Sequence, residues 1–190
     1  LIALREDTVG GVISDLDQLA GALIFETNKI HSQGQGQSGY EYVEGTYRVA
    51  DTTVALNDAD TDLPFAISNG SFVLHLTNEE TGQRNSYRIA VDLDGVGTDM
   101  SLDDLVAAVN AAGGTGLTAS ATAGGKFRID ATSGYTLTFS DDTSGALAGL
   151  GVNTYFDGKN AYDIAVNSRL LENDNYLATG INHIQGSNGN

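Results

Sequence analysis

The chain has 190 residues, of which 41% are hydrophobic, so it is long enough for one domain with a real core plus an appendage. Nine lysine and arginine residues stand against 25 aspartate and glutamate residues, which gives a formal net charge of −16 at pH 7. An acidic surface of this kind repels nucleic acid and anionic lipid. Cysteine is absent, which excludes disulfides, thiol catalysis and cysteine-ligated zinc.

The sequence shows no targeting or membrane segment by simple inspection. No uninterrupted apolar run approaches the ~18 residues of a membrane span. The chain starts at Leu1 without methionine and without the basic region of a signal peptide. We therefore expect a fragment of a longer protein, with no membrane partner and with its targeting information elsewhere.

A helical repeat comes first in the chain, and it predicts a helix over residues 1–33. Apolar residues recur every 3.5 residues, the period of a coiled coil. This heptad row comprises Val9, Val12, Leu16, Leu19, Leu23 and Ile30. A second row comprises Ile13, Ala20, Ile24, Thr27 and His31. Because a lone helix cannot bury so wide a face, we expect partner helices outside this fragment, packed on Val12, Leu16, Leu19, Leu23 and Ile30.

A glycine-rich stretch over residues 34–39 predicts the end of the helix and a flexible hinge. Residues 40–167 then predict a β-rich outer domain. Its first part, residues 40–100, alternates apolar and polar residues and indicates a β-meander, with a hairpin at Asn69–Gly70. Residues 101–112 predict a helix capped by Ser101, and three short strands, a helical turn at 144–150 and a strand at 162–166 follow. Residues 168–190 are a return segment towards the helical part, with a polar tail.

The predicted fold class is therefore α+β: a long N-terminal helix followed by a mainly antiparallel β-rich domain with one or two short helices. No catalytic, cofactor or metal site is predicted. Residues 34–39 match G-x-G-x-x-G, but a dinucleotide site needs a strand before the glycines and a helix after them, and here the order is reversed. Asp58, Asp60 and Asp62 alternate as in a calcium loop, yet the glycine and glutamate of an EF-hand are missing. The histidines His31, His75 and His183 form no local constellation with a nucleophile.

Three stretches resemble the bacterial flagellar hook-associated protein 1 family, which forms the first hook–filament junction. The first is the end of the helix, with Asn28, Ile30, His31 and Gly34 in an N-x-I-H-x-x-G pattern. The second is Met100 to Asn110 with the strands that follow, which is similar to a module shared by flagellins and hook-associated proteins. The third is Leu147 to Asn167, which resembles the family's "LG-N-FF-G–A-DI-VN" run, with Tyr155 in place of the first Phe.

The resemblance implies a structural protein of the bacterial flagellum and not an enzyme. It implies helical self-assembly between hook and filament, with the helix of residues 9–31 in an inner-tube bundle. The implied partners are copies of the protein, the hook protein, the second junction protein and an export chaperone for the parent chain. The implied location is extracellular, after unfolded export through the flagellar type III apparatus, which is compatible with no cysteine and one proline.

Two other interpretations stay open from sequence. A flagellin or filament-cap relative would use the same middle module. An extracellular adhesin or glycan-binding β-module would need a groove lined by exposed tyrosines such as Tyr40, Tyr42 and Tyr47.

Overall fold

The computed structural model describes the backbone of residues 2–180 and the side chains of residues 8–180. A long helix is followed by antiparallel sheets and short helices, which confirms the predicted α+β class. The α-helices are α1 (Ile2–His31), α2 (Leu102–Gly113), α3 (Ala146–Leu150) and α4 (Ser168–Glu172), and 3-10 turns lie at Ala59–Thr61, Gly114–Gly116 and Asp174–Tyr176. The strands are β1 (Tyr42–Arg48), β2 (Gly70–Asn78), β3 (Arg84–Val91), β4 (Leu117–Ala121), β5 (Lys126–Ala131), β6 (Tyr135–Ser140), β7 (Phe156–Asp157) and β8 (Ala165–Val166).

Two antiparallel three-stranded sheets form most of residues 40–167, for which we keep the name outer domain. One has the order β1-β5-β4 and the other the order β3-β2-β6, while β7 and β8 form a separate pair. Because β1 pairs with β5 and not with β2, the first part of the β-meander predicted for residues 40–100 is wrong, whereas β2 and β3 do pair as antiparallel neighbours. The sequence shows which segments are extended, but the choice of partner depends on contacts between segments that lie far apart in the chain.

The hairpin predicted at Asn69–Gly70 is also wrong. Residues 65–69 form no strand, and the hairpin partner of β2 is β3, which follows it after a turn at residues 79–83. The side-chain Oδ1 of Asn69 instead accepts a hydrogen bond from the N–H of Leu93 at 3.0 Å. Gly70 serves a close approach, since a Cβ there would lie 2.8 Å from Oγ1 of Thr143. Both residues are thus required by tertiary contacts, although an Asn-Gly pair in a sequence usually indicates a hairpin turn.

The helix α2 links the two sheets because it contacts β3 of one and β4 of the other. Its residues Leu102, Leu105 and Val109 are fully buried in the core of the domain. Ser101 caps its N-terminus: Oγ accepts the N–H of Asp104 at 3.1 Å, and a carboxylate oxygen of Asp104 accepts the N–H of Ser101 at 3.0 Å. This reciprocal capping confirms the predicted start of the helix.

The short helix α3 is buried along its whole length and contacts α1. The carboxylate of Asp142 holds the turn before it, accepting backbone N–H groups of Ser144, Gly145 and Leu147 at 2.8–2.9 Å. Such bonds supply partners for backbone donors that would otherwise be buried without one. The turn and α3 therefore give α1 a fixed surface to pack on.

Candidate functional site: the two faces of the long helix

One face of α1 carries the predicted heptad row, and it is exposed. Its apolar side chains are between 50 and 76% exposed, and they are Val9, Val12, Leu16, Leu19, Leu23 and Ile30. Large apolar side chains aligned on one exposed face are typical of a surface that packs on another protein segment. Whether Val12, Leu16, Leu19, Leu23 and Ile30 pack on partner helices remains a prediction.

The adjacent face of α1 lies on the outer domain. From Asp17 onward one side of the helix is covered, and Ile24 is fully buried there beside Ala20. The ring of Phe25 stacks on Phe65, with centroids 5.1 Å apart. The second row of the sequence is therefore divided, because Ala20, Ile24 and His31 are buried while Ile13 is still 54% exposed.

Helix α1 approaches the outer domain closely at Gly21. A Cβ at this position would lie 3.2 Å from the carbonyl oxygen of Lys159. One turn earlier, the carboxylate of Asp17 accepts the N–H of Ala161 at 3.0 Å. These two contacts hold the loop at residues 159–161 against the middle of the helix, on a side that the heptad row does not use.

Asn28 joins α1 to the segment that leads into β7. Its side chain is fully buried, and Oδ1 accepts the N–H groups of Tyr155 at 3.0 Å and Phe156 at 2.8 Å. Its Nδ2 donates to the carbonyl of Phe156 at 2.9 Å. The carboxamide thus pairs with a backbone as a neighbouring strand would, and sequence reasoning gave this residue no role.

Asn153 forms the second half of this junction. Its backbone is left-handed, with φ of 52°, and its carbonyl faces Nδ1 of His31 at 2.9 Å. Its side-chain Nδ2 donates to the carbonyls of Ser32 and Gly34, both at 3.1 Å. Carbonyls at a helix C-terminus lack intrahelical partners, so Asn153 caps α1 from another part of the chain. Its Oδ1 accepts the hydroxyl of Tyr40 at 2.6 Å.

The glycine-rich stretch lies against residues 173–180 of the return segment. The N–H of Gln35 donates to the carbonyl of Gly180 at 2.9 Å, and the N–H of Thr179 donates to the carbonyl of Gln35 at 3.2 Å. A Cβ at Gly34 would lie 2.6 Å from the Cβ of Ala178. The glycines therefore allow the backbone of this stretch to lie close to the return segment, in addition to ending the helix. That residues 34–39 act as a hinge stays a prediction.

Burial shifts the ionisation of the polar groups at this junction. It lowers the pKa of His31, an effect that the hydrogen bond to the Asn153 carbonyl opposes. It also raises the pKa of Tyr40 far above its usual range, so this hydroxyl stays protonated and donates to Asn153. The junction is consequently uncharged at neutral pH, as a buried hydrogen-bonded network should be.

The other candidate sites do not converge on one place. Asp58 caps the 3-10 turn at Ala59–Thr61 by accepting the N–H of Asp60 at 2.9 Å. His75 is buried and hydrogen-bonded to two serine hydroxyls, Ser86 at 2.7 Å and Ser140 at 2.9 Å. His183 lies outside the described residues.

In residues 8–180 the carboxylates near enough to share an ion are Asp92, Asp94 and Asp99, in an exposed turn with ordinary backbone capping.

The tyrosines proposed for a glycan groove do not line one. Tyr40 and Tyr47 are buried, and the hydroxyl of Tyr47 donates to the carbonyl of Gly158 at 2.7 Å. Tyr42 is partly exposed, but the guanidinium groups of Arg128 and Arg169 each lie 4.4 Å from the centre of its ring. These rings therefore support the packing of the domain.

By length and composition, the stretch Thr8–His31 of α1 is apolar enough to cross a membrane, which the sequence inspection missed. An 18-residue part of this stretch has a mean hydropathy of 1.2, and 11% of that part is buried. A helix that packs on other protein segments passes the same test. The carboxylate of Asp17 and the buried carboxamide of Asn28 bind backbone groups of the outer domain, which favours protein as the neighbour of this helix.

Comparison with known protein families gives one match. Residues 72–133, from β2 to just beyond β5, match the family model described as the flagellin hook IN motif. The match covers about a third of the chain, and no curated protein matches the sequence. It supports a flagellar structural protein of the hook-associated or flagellin type, a class that is exported to the bacterial flagellum and self-assembles with other axial proteins. The motif contains the middle stretch singled out from the sequence, whereas α1 and residues 147–167 lie outside it.

Proposed function

We propose that this chain is the central part of a hook-associated protein 1, which joins hook and filament by helical self-assembly. The observation that carries the proposal is the division of α1 into two faces. From Asp17 to His31 one face is fixed on the outer domain, and the part of the heptad row in those turns is left exposed. Burying each of these Leu or Ile side chains would contribute about 1.5–3 kcal/mol, which suits the row to binding other helices.

The two stretches that carry the finer resemblance meet in space, which also supports the proposal. Asn28 and His31 belong to the first stretch, and Asn153 and Phe156 belong to the third. Their side chains and backbone form the hydrogen-bonded junction described above. We therefore interpret the first and the third stretch as the two sides of one contact, between a helix of the core and the outer domain.

The direction of the chain suits the proposed domain arrangement. Within the described residues the return segment reaches the end of α1, where Gly180 pairs with Gln35. A partner helix that starts at this end of α1 would run back along the heptad row. In the assembled flagellum, residues 40–167 would project outward as the outer domain, with the hook protein and the second junction protein as neighbours along the axis.

A flagellin or filament-cap relative is the second candidate, because the matched motif is shared with flagellins. Deleting the gene of the parent protein separates the two. The proposal expects cells that keep hooks, shed filament subunits into the medium and regain filaments when the intact gene is restored. Hooks that still carry filaments after the deletion would contradict it.

A further inference from the structure

Two histidines are buried in the described residues: His31 at the end of α1 and His75 in β2. They differ in the hydrogen-bonding groups that face them. His31 lies between two backbone groups whose roles are fixed: the carbonyl of Asn153, 2.9 Å from Nδ1, and the N–H of Ala178, which donates to Nε2 at 3.0 Å. His75 lies between the hydroxyls of Ser86 and Ser140. A hydroxyl can donate or accept by rotating, whereas a backbone N–H only donates.

The fixed partners of His31 permit one protonation state. Nδ1 must carry the hydrogen that the Asn153 carbonyl accepts, and Nε2 must be bare to accept from Ala178. A second proton would go to Nε2 and would face the N–H of Ala178, so that two donors would oppose each other. The hydrogen bond from Ala178 would then be lost.

We propose that the contact between His31 and Ala178 is an acid-sensitive latch. The neutral ring ties the return segment to the end of α1, and protonation of the ring releases it. The latch does not depend on the flagellar assignment, since it rests on the geometry of this chain. Thr179 and Gly180 then keep their backbone hydrogen bonds with Gln35, and Leu177 keeps its bond to the carbonyl of Asp174, so the release starts at Ala178.

The surroundings of His31 set the direction of the pH effect. In the last two turns of α1 the titratable side chains besides His31 are Glu26 and Lys29, which pair with each other at 3.3 Å. The elements around the junction contribute Tyr40, Tyr155, Arg169, Asp174 and Tyr176. The ring of Tyr155 meets the imidazole edge-on at 5.7 Å. Within residues 8–180 no carboxylate forms a hydrogen bond with His31, so burial lowers the pKa of His31 without an anion to offset it.

The difference between the pKa of His31 in the folded and in the unfolded chain sets the direction in which stability changes with pH. The unfolded chain takes up the proton at the ordinary histidine pKa of about 6.5, before the folded chain does. The contribution of the neutral ring is therefore fully present above this pH, and it decreases as the pH falls from there through the lowered pKa of the folded state. Opening of the return segment should accompany the protonation of the folded ring.

The test is amide hydrogen exchange of the 190-residue chain, followed by nuclear magnetic resonance from pH 7.5 to 4.5. Protection factors, which correct for the intrinsic pH dependence of exchange, are compared for Ala178 and for Phe72 in β2. For the wild-type chain we expect protection of Ala178 to fall about tenfold as His31 protonates, while Phe72 stays protected, since about one hydrogen bond is lost.

Two variants complete the test. His31→Gln places a non-titrating acceptor near the position of Nε2, and its Ala178 protection should not change with pH. His75→Gln is the control, and its Ala178 protection should fall as in the wild-type chain. If His31→Gln fails to fold, the nitrogen shifts of the wild-type ring decide: hydrogen on Nδ1 at pH 7.5 is expected, and hydrogen on Nε2 overturns the latch. Constant protection of Ala178 down to pH 4.5 in the wild-type chain also overturns it.

Discussion

Two neighbouring faces of α1 have the same apolar character in sequence but different surroundings in the structure. Ile24 is fully buried on the outer domain, whereas Leu23, the preceding residue, is 53% exposed. The difference arises from what each face meets: one meets α3, Phe65 and the backbone at residues 153–161, and the side chains of the other stay at least half exposed. The width of the apolar face in the sequence therefore indicates how many surfaces the helix packs on. The structure shows which of those surfaces belong to this chain.

The strongest test of this comparison is truncation of the two adjacent residues. Ile24→Ala should lower the free energy of unfolding by about 3 kcal/mol, because it removes buried methyl groups and leaves a cavity. Leu23→Ala should change it by less than about 0.5 kcal/mol in the isolated chain. Urea unfolding followed by circular dichroism measures both. Equal losses for the two variants would mean that the two faces do not differ as described.

A second test concerns the polar part of the buried face. Asn28→Ala should cost about 2 kcal/mol, because the N–H groups of Tyr155 and Phe156 and one carbonyl would lose their partner. Glu26→Ala is the matched control on the same helix, since it removes only an exposed ion pair with Lys29, worth about 0.3–0.5 kcal/mol. The same urea experiment applies. An Asn28→Ala variant as stable as Glu26→Ala would show that the junction does not hold the helix.

The smallest effect is expected at the glycines of α1. Gly11 has open space around it, so Gly11→Ala should increase helix content and stabilise the helix by about 0.5–1 kcal/mol. At Gly21 the same change brings a Cβ to 3.2 Å from the Lys159 carbonyl, and we expect this contact to cancel the gain. Ellipticity at 222 nm against temperature compares the two. A gain at Gly21 equal to that at Gly11 would contradict the close packing of the loop at residues 159–161.

The sequence predicted what is local and missed what depends on distant partners. The 3.5-residue period located α1, and Ser101 with Asp104 located the start of α2, because both signals lie within a few residues. Strand pairing was missed because β1 selects β5 across some 80 residues, and the meander assumed neighbours instead. The junction was missed for a related reason. Asn28 and Asn153 stood in the quoted patterns, but a carboxamide that replaces a strand or caps a helix is visible only once the partner backbone is in place.

The central claim is that the heptad row is exposed in this chain and covered in the assembled flagellum. The chain has no cysteine, so a single introduced thiol can report on one position. Leu19→Cys probes the row, and Val96→Cys is the control, at a position that is 76% exposed in the outer domain. In the isolated chain both thiols should react with a maleimide at similar rates. In flagella that carry the parent protein, the thiol at position 19 should be protected while that at position 96 still reacts. Equal reactivity of the two positions in those flagella would contradict the account.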